Sequence, residues 1–267
     1  MSDTPVFSAI VCTYNRPALL KEAVAAIRRQ TIKNIEIILI NNGGTPETVQ
    51  HLQEVARADK RIKVLHFQDN VYSADDPTKY IHICFNAALD VATGDYVWCQ
   101  SDDDLIADDY AEKMVALFEE NSGCTTAAGL PVIIDFDGAI MDQIPSGKNA
   151  RSRYTPGKLV AIDHLNGGDL FSAPGAIFTI RRDLLVEAGG FHRSLENSHL
   201  YGIVPFGITG FDESAVLYWR NHPAQLNKQS SGTGWIGIDD SLDLLKDWDI
   251  ETRWNVFGAG VARGFIR

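Results

Sequence analysis

Short, almost wholly apolar runs alternate with longer stretches whose apolar residues return every three or four positions, and this rhythm organises the first 120 residues. Phe7 to Cys12 suits a buried strand. Pro17 then opens a helix, its ring pre-set for the first turn, with Leu19, Leu20, Ala23, Val24 and Ile27 on one face. Ile35 to Ile40 is a second, β-branched strand. Thr45-Pro46 pairs a cap with a proline and starts a helix carrying Val49, Leu52 and Val55. Ile62 to Phe67 reads as a third strand. Asp76-Pro77 repeats the cap signal before the stripe Ile81, Cys84, Phe85, Ala88 and Leu89, which Gly94 stops. Tyr96 to Gln100 is the fourth strand, and Tyr110, Met114, Leu117 and Phe118 mark another helix. Such alternation predicts an α/β fold of parallel βαβ units covered on both faces.

The second half is less regular. Thr125 to Ile134, with the following Asp137-Gly138 turn, reads as a strand pair. Ser146 to Lys158 reads as an exposed, mobile loop. Ala176 to Ile180 is a short strand, and Arg181 to Ala188 a helix ended by Gly189-Gly190. Leu217 to Pro223 passes from apolar to polar, and helical spacing returns at Leu242, Leu245 and Trp248. There is no internal repeat and no low-complexity linker.

Ligands of parallel sheets bind beyond the carboxyl ends of the strands. At those ends stand Thr13-Tyr14-Asn15-Arg16, Asn41-Asn42-Gly43-Gly44 and the run Ser101-Asp102-Asp103-Asp104. Neighbouring carboxylates repel, by roughly 4 kcal/mol for unit charges about 4 Å apart at an effective dielectric of ~20. Three together ask for a cation, and oxygen ligands favour Mg²⁺ or Mn²⁺. The same run also reads as an Asp-rich turn capping the next helix. Three polar loops on one rim favour the metal.

Charge narrows the partners. The 267 residues carry 24 basic and 35 acidic side chains, a net charge of −11, which opposes binding to a nucleic-acid polymer but not to a nucleotide. Cys12, Cys84, Cys99 and Cys124 are scattered within apolar segments, as buried free thiols of a reducing cytoplasm would be. Neither a secretory leader nor an apolar run of about 20 residues is visible, so a cytoplasmic protein is expected, one still able to act at the inner face of a membrane. Gly232 to Gly237 satisfies G-x-G-x-x-G but follows a polar stretch, so it reads as a loop over the cleft. The zinc-hydrolase and serine-hydrolase motifs H-E-x-x-H and G-x-S-x-G are absent.

The order Thr-Tyr-Asn-Arg, amphipathic helix ending in Gln30-Thr31, β-branched strand, Asn-Asn-Gly-Gly-Thr, then Gly-Asp-Tyr-Val before an Asp cluster resembles the GT-A nucleotide-sugar glycosyltransferases of family 2. A weaker echo continues through Gly189-Gly190-Phe191 and Trp219 to His222. The resemblance implies a Rossmann-like, mostly parallel sheet with helices on both faces and an irregular acceptor half. It divides the chain into a nucleotide-sugar half (1–122), an acceptor half of the same domain (123–235) and a helical extension (236–267). It implies transfer of a sugar from a nucleotide-diphosphate sugar, with a UDP-sugar the guess, to a saccharide or lipid-linked acceptor of the kind used in polysaccharide synthesis.

By the same resemblance Tyr14 stacks on the donor base, with Cys12, Thr13 and Arg16 beside it. Asn41, with Asn42, stands where an acidic residue meets the base, and Lys79 approaches the diphosphate. Ser101 takes the place of the usual first Asp. Asp103, with Asp104, becomes the Mn²⁺ or Mg²⁺ ligand, Asp102 lies near the ribose or the metal's waters, and His222 near the phosphates. The base of the inverting branch falls on Glu196, with Asp212 and Glu213 as rivals. Nucleotidyl transfer is an alternative, although Thr13 to Arg16 lacks the glycines of a phosphate loop. A non-catalytic GT-A-like binding module is another, favoured by Asn41 and Ser101.

Overall fold

In β1 (Phe7–Thr13) the residues Phe7, Ala9 and Val11 enter one apolar core and Ile10 the other, the signature of a strand covered on both faces. The same sorting holds in β2 (Ile35–Asn42), where Ile35, Ile37 and Leu39 part from Ile38 and Ile40. It also holds in β4 (Tyr96–Ser101), where Trp98 parts from Val97 and Cys99. The structure, a computed structural model, describes residues 6–73, 79–143, 152–165, 178–191, 203–223 and 225.

The first core is covered by α1 (Pro17–Arg28), α2 (Pro46–Ala58) and α4 (Tyr110–Glu120). The second lies under a π turn (Ile81–Phe85) that runs into α3 (Asn86–Val91), together with α6 (Arg182–Glu187). Between these elements run β3 (Ile62–Phe67) and the two-residue β5 (Leu105–Ile106). The later half supplies β6 (Cys124–Ile134), β7 (Ile140–Gln143), β8 (Tyr154–Pro156), α5 (Gly157–Leu165), β9 (Phe178–Arg181) and the long β10 (Ile208–Arg220).

Among the described residues the strands form one sheet in the order β3-β2-β1-β4-β9-β6-β10-β5, with β7 added to β6 and β8 to β10. β3, β2, β1 and β4 run parallel. β9 is antiparallel to both β4 and β6, so β6 regains the direction of β4, and β10 runs parallel to β6. The carboxyl ends of β1, β2, β4, β6 and β10 therefore share one rim.

The irregular half departs from expectation in identifiable ways. Part of the expected loop at 146–158 is ordered: Tyr154–Pro156 pairs with β10, and a helix starts at Gly157. That glycine is required, because a Cβ there would stand 1.6 Å from the Val204 carbonyl oxygen. The strand pair takes the form of an eleven-residue β6 returning as β7. Asp135 builds the turn, its Oδ1 accepting the N–H groups of Asp137 (3.0 Å) and Ala139 (2.8 Å). The apolar boundary at 217–223 is the end of a thirteen-residue strand. The expected helical spacing at 242–248 and the loop at 232–237 lie outside the described residues.

One buried carboxylate pins the opposite, amino-terminal edge. Glu36 Oε1 accepts from Ser8 Oγ (2.6 Å), Thr93 N (2.6 Å) and Gly94 N (3.0 Å), while Oε2 meets Lys63 Nζ at 2.6 Å. Burial pushes this carboxyl up, but the bonds from Lys63, Ser8 and Thr93 outweigh it and hold Glu36 below the usual glutamate value. Glu36→Gln loses the ion pair and should cost about 1.5–3 kcal/mol in urea denaturation at pH 7, the range for bonds to a charged group. A depressed carboxyl contributes stability that is present above its unfolded value and lost as pH falls through the folded one. The gap between wild type and Glu36→Gln should therefore close below about pH 4.5, the unfolded value.

Candidate active site on the carboxyl rim

β1 delivers the first loop. Tyr14, directly after Thr13, is 45% exposed and its ring is open to a ligand. Asn15 takes a left-handed backbone (φ 55°), which asparagine tolerates better than most residues, and its Oδ1 accepts the Thr45 N–H at 2.7 Å. The loops after β1 and β2 are thereby tied together. In the second loop both asparagines are buried and turned to local work. Asn41 Oδ1 accepts Gly44 N–H (2.9 Å) and its Nδ2 lies 3.4 Å from His66 Nδ1. Asn42 Nδ2 donates to Asn70 Oδ1 (2.9 Å) and its Oδ1 accepts Val71 N–H (2.9 Å). Gly43 (φ 69°) is compulsory, since a Cβ would stand 2.1 Å from the Asn70 nitrogen. Lys79 is exposed, just ahead of the π turn.

β4 delivers the three carboxylates, all buried. Asp102 Oδ2 accepts from Thr13 Oγ1 at 2.6 Å, and its Oδ1 is 3.2 Å from Arg16 Nη1. The same Arg16 nitrogen reaches Asp103 Oδ2 at 3.0 Å, and that oxygen also lies 2.9 Å from His222 Nε2. Asp104 turns inward, its Oδ1 accepting the Arg220 N–H at 2.9 Å. Gln100 donates its side-chain amide to the Asp104 carbonyl. Helix capping, the other sense of an Asp-rich run, is not what the three carboxylates do: the N-cap position of α4 is Asp109, which itself makes no side-chain cap bond.

Arg220 holds the cluster from behind. Wholly buried, it donates through Nε to the Asp103 carbonyl (2.8 Å), through Nη2 to Glu22 Oε2 on α1 (2.7 Å) and through Nη1 to the Phe136 carbonyl beyond β6. Burial raises the Asp102 carboxyl to about 6, with Asp103 adding to the rise and Arg16 opposing it. Asp104 is pushed well above the usual range by burial first and then by Asp103. Negative charge is thus crowded where water is scarce, the condition in which a further cation gains most.

Among the described residues no three His, Cys, Asp or Glu side chains converge as a ready-made metal cage. Two donors do meet, Asp103 Oδ2 and His222 Nε2, and an oxygen–nitrogen pair suits Mn²⁺. A small divalent ion held by one or two protein groups characteristically completes its sphere with substrate phosphates and water. The residues present fit such an ion.

The structure gathers Thr13, Arg16, Asp102, Asp103 and His222 into one contact set and turns Asp104 away from it. The Cys12 thiol is hydrogen-bonded with Cys84, which together with burial pushes it up, and it packs on the second core. Asp212 lies opposite Gly129, five register steps before the rim pair Arg220 and Ile134, or roughly 17 Å at ~3.3 Å per residue. There it binds Arg153 (3.3 Å) and Ser214 (2.6 Å), so it is not brought to the cluster. Glu213, exposed in the same stretch, is no nearer. Glu196 lies outside the described residues. Sequence reasoning missed Arg220, Gln100 and His66; an arginine at the end of an apolar strand was the available signal for the first.

The family profile described as Glycosyl transferase family 2 matches residues 8–188, more than half of the chain. An uncharacterized glycosyltransferase of Haemophilus influenzae is 32% identical over 149 residues, covering 55% of this chain and 44% of that protein. The GalNAc(5)-diNAcBac-PP-undecaprenol beta-1,3-glucosyltransferase of Campylobacter jejuni is 33% identical over 100 residues, 38% of this chain and 30% of its own length. The chain thus spans less than half the length of these curated relatives. The crystal structure of GalNAc-T7 with UDP, GalNAc and Mn²⁺ superposes with a TM-score of 0.63 at 14% identity, over 95% of this chain and 50% of that one. The last comparison gives the fold, the curled and mostly parallel sheet of the GT-A type. With the profile running from β1 through β9, the chain belongs to Glycosyl transferase family 2.

Proposed function

We propose that this chain transfers a sugar from a nucleotide-diphosphate sugar to an acceptor hydroxyl, with Mn²⁺ or Mg²⁺ held by Asp103 and His222. One observation carries the reading: Asp103 Oδ2 is shared by Arg16 and His222 on a rim where the family binds its donor. When bound, the cation offsets the negative charge that grows on the departing diphosphate. Arg16 and Lys79 add positive charge on the same side. Tyr14 offers its exposed ring to the base, and the Thr13–Asp102 pair faces the ribose. Asn41 and Asn42 shape the base pocket rather than read it, because their amides are bonded within the loop.

Inversion needs a base for the acceptor hydroxyl, and Glu196 is our assignment; neither Asp212 nor Glu213 lies at the rim. UDP is the favoured nucleotide, supported by the UDP complex of GalNAc-T7. A lipid-linked saccharide is the favoured acceptor, supported by the undecaprenol-linked name of the Campylobacter relative. Such an acceptor would place the protein in the cytoplasm at a membrane face; among the described residues no helix is long and apolar enough to cross a membrane.

A screen of nucleotide-sugars with and without Mn²⁺ tests this, read by melting temperature and by sugar release. One donor should raise the melting temperature only with metal and be turned over. Stabilisation without turnover of any donor and acceptor would instead show a binding module, and pyrophosphate release a nucleotidyltransferase.

A further inference from the structure

The turn that joins β6 to β7 carries an aromatic ring it does not need. Asp135 builds the turn through its own side chain, whose Oδ1 accepts the N–H groups of Asp137 and Ala139, and the Phe136 ring takes no part. That ring is 56% exposed. Lone exposed apolar side chains are common, so exposure by itself decides nothing. Position does.

Phe136 is held in register with the carboxylate cluster. Arg220 stands opposite Ile134 in the parallel β10–β6 pair. Two residues on from each, the rings of His222 and Phe136 meet, centroids 5.9 Å apart at 79°. His222 Nε2 in turn lies 2.9 Å from Asp103 Oδ2. The buried Arg220 guanidinium bonds both main-chain carbonyls, that of Asp103 through Nε and that of Phe136 through Nη1. One cation thereby sets the spacing between carboxylate and ring. Asp103 and His222 are buried, whereas Phe136, one contact further on, opens to solvent. In the sheet β4 and β9 lie between β1, which delivers Tyr14, and β6, which delivers Phe136. A molecule on Phe136 therefore sits on the side away from the proposed base pocket.

We propose that Phe136 is the stacking platform for the terminal sugar ring of the acceptor. The assignment rests on the proposed sugar transfer. The C–H groups on one face of a pyranose carry partial positive charge, and the face of an aromatic ring is negative. Asp137 beside it is exposed, and a carboxylate accepts hydrogen bonds from sugar hydroxyls. The same acidic neighbours, Asp135 and Asp137, disfavour an anionic membrane surface as the occupant. On the proposed function the donated sugar hangs from the diphosphate at Asp103. An exposed ring one contact further out meets a group that arrives from solvent.

Phe136→Leu keeps an apolar side chain against His222 but removes the aromatic face, and Phe136→Trp keeps the face. Acceptor KM should rise about fivefold in the Leu variant and stay within about twofold of wild type in the Trp variant, the scale of one aromatic stack. Donor KM and the melting shift given by UDP with Mn²⁺ should stay within about twofold in both, because donor contacts are untouched. Loss of the UDP shift in Phe136→Leu would make the ring a mere support for His222. A rise in donor KM alone would give the ring to the donated sugar, and an unchanged acceptor KM would leave it without a ligand. Each of these overturns the proposal.

Saturation-transfer NMR reads the platform without turnover. The ring protons of methyl β-D-glucopyranoside, with and without UDP and Mg²⁺, should show signal with the wild type and with Phe136→Trp. With Phe136→Leu the signal should fall to about a third or less. Equal signals from all three proteins, or none from the wild type, would also overturn the platform. A wild type that turns over no donor would instead strike the functional reading, and the NMR signals would then decide the platform alone.

Discussion

Asp103→Asn should lower sugar transfer by about 10²–10³-fold, the usual loss when one preorganised charge-stabilising group is removed. It should also abolish the melting shift that nucleotide and Mn²⁺ give together. Both effects follow from one oxygen, Asp103 Oδ2, which Arg16 (3.0 Å) and His222 (2.9 Å) share. The amide is isosteric and its oxygen still accepts from both neighbours, so folding should survive. A buried charge crowded by neighbouring carboxyls is also gone, and the melting temperature of the metal-free variant should not fall appreciably. Transfer within tenfold of wild type would remove Asp103 from the site. A variant that melts early with no ligand present would mark its role as structural.

Arg220→Met should be the most damaging substitution for the fold itself. The guanidinium is buried and reaches the Asp103 carbonyl, the Phe136 carbonyl and Glu22, on three separate elements. Removing one partner of a buried charged network typically costs about 3–5 kcal/mol, because what remains is unpaired. At ~2–4 °C per kcal/mol for a domain of this size, calorimetry should show a drop of roughly 10 °C. Arg220→Lys keeps the charge but loses the planar fork, and should recover only part of it. A Met variant that melts within about 2 °C of wild type would mean that the bonds contribute little net stability.

The sequence is legible where apolar periodicity is long and local. β1, β2 and β4 bury both faces, so each reads as an unbroken apolar run, and the three loops they end in could be placed on one rim. Legibility fails where a contact is made at distance. β5 is two residues long and carries no period; it exists because β10 passes beside it. Pro156-Gly157 reads as a loop, yet it joins a strand to a helix because the backbone of Val204 and Gly207 packs there. The candidate site divides in the same way. The run Asp102 to Asp104 was evident from its crowding and the resemblance singled out Asp103 within it, whereas Arg220 acts on Asp103 across 117 residues of chain. Asn41 looked free to meet a base, and only the fold shows Gly44 and His66 already beside it.

β9 has a consequence for motion. This reversed strand is hydrogen-bonded to β4 on one side and to β6 on the other, so the strands of the first and second halves belong to one uninterrupted ladder. Enzymes that open by rotating two lobes keep a flexible crossing between them. Rotation here would have to tear out the β4–β9–β6 bonds. On the proposed function, substrate entry and product release would fall to the rim loops, and turnover should be set by local loop rearrangement over a static floor.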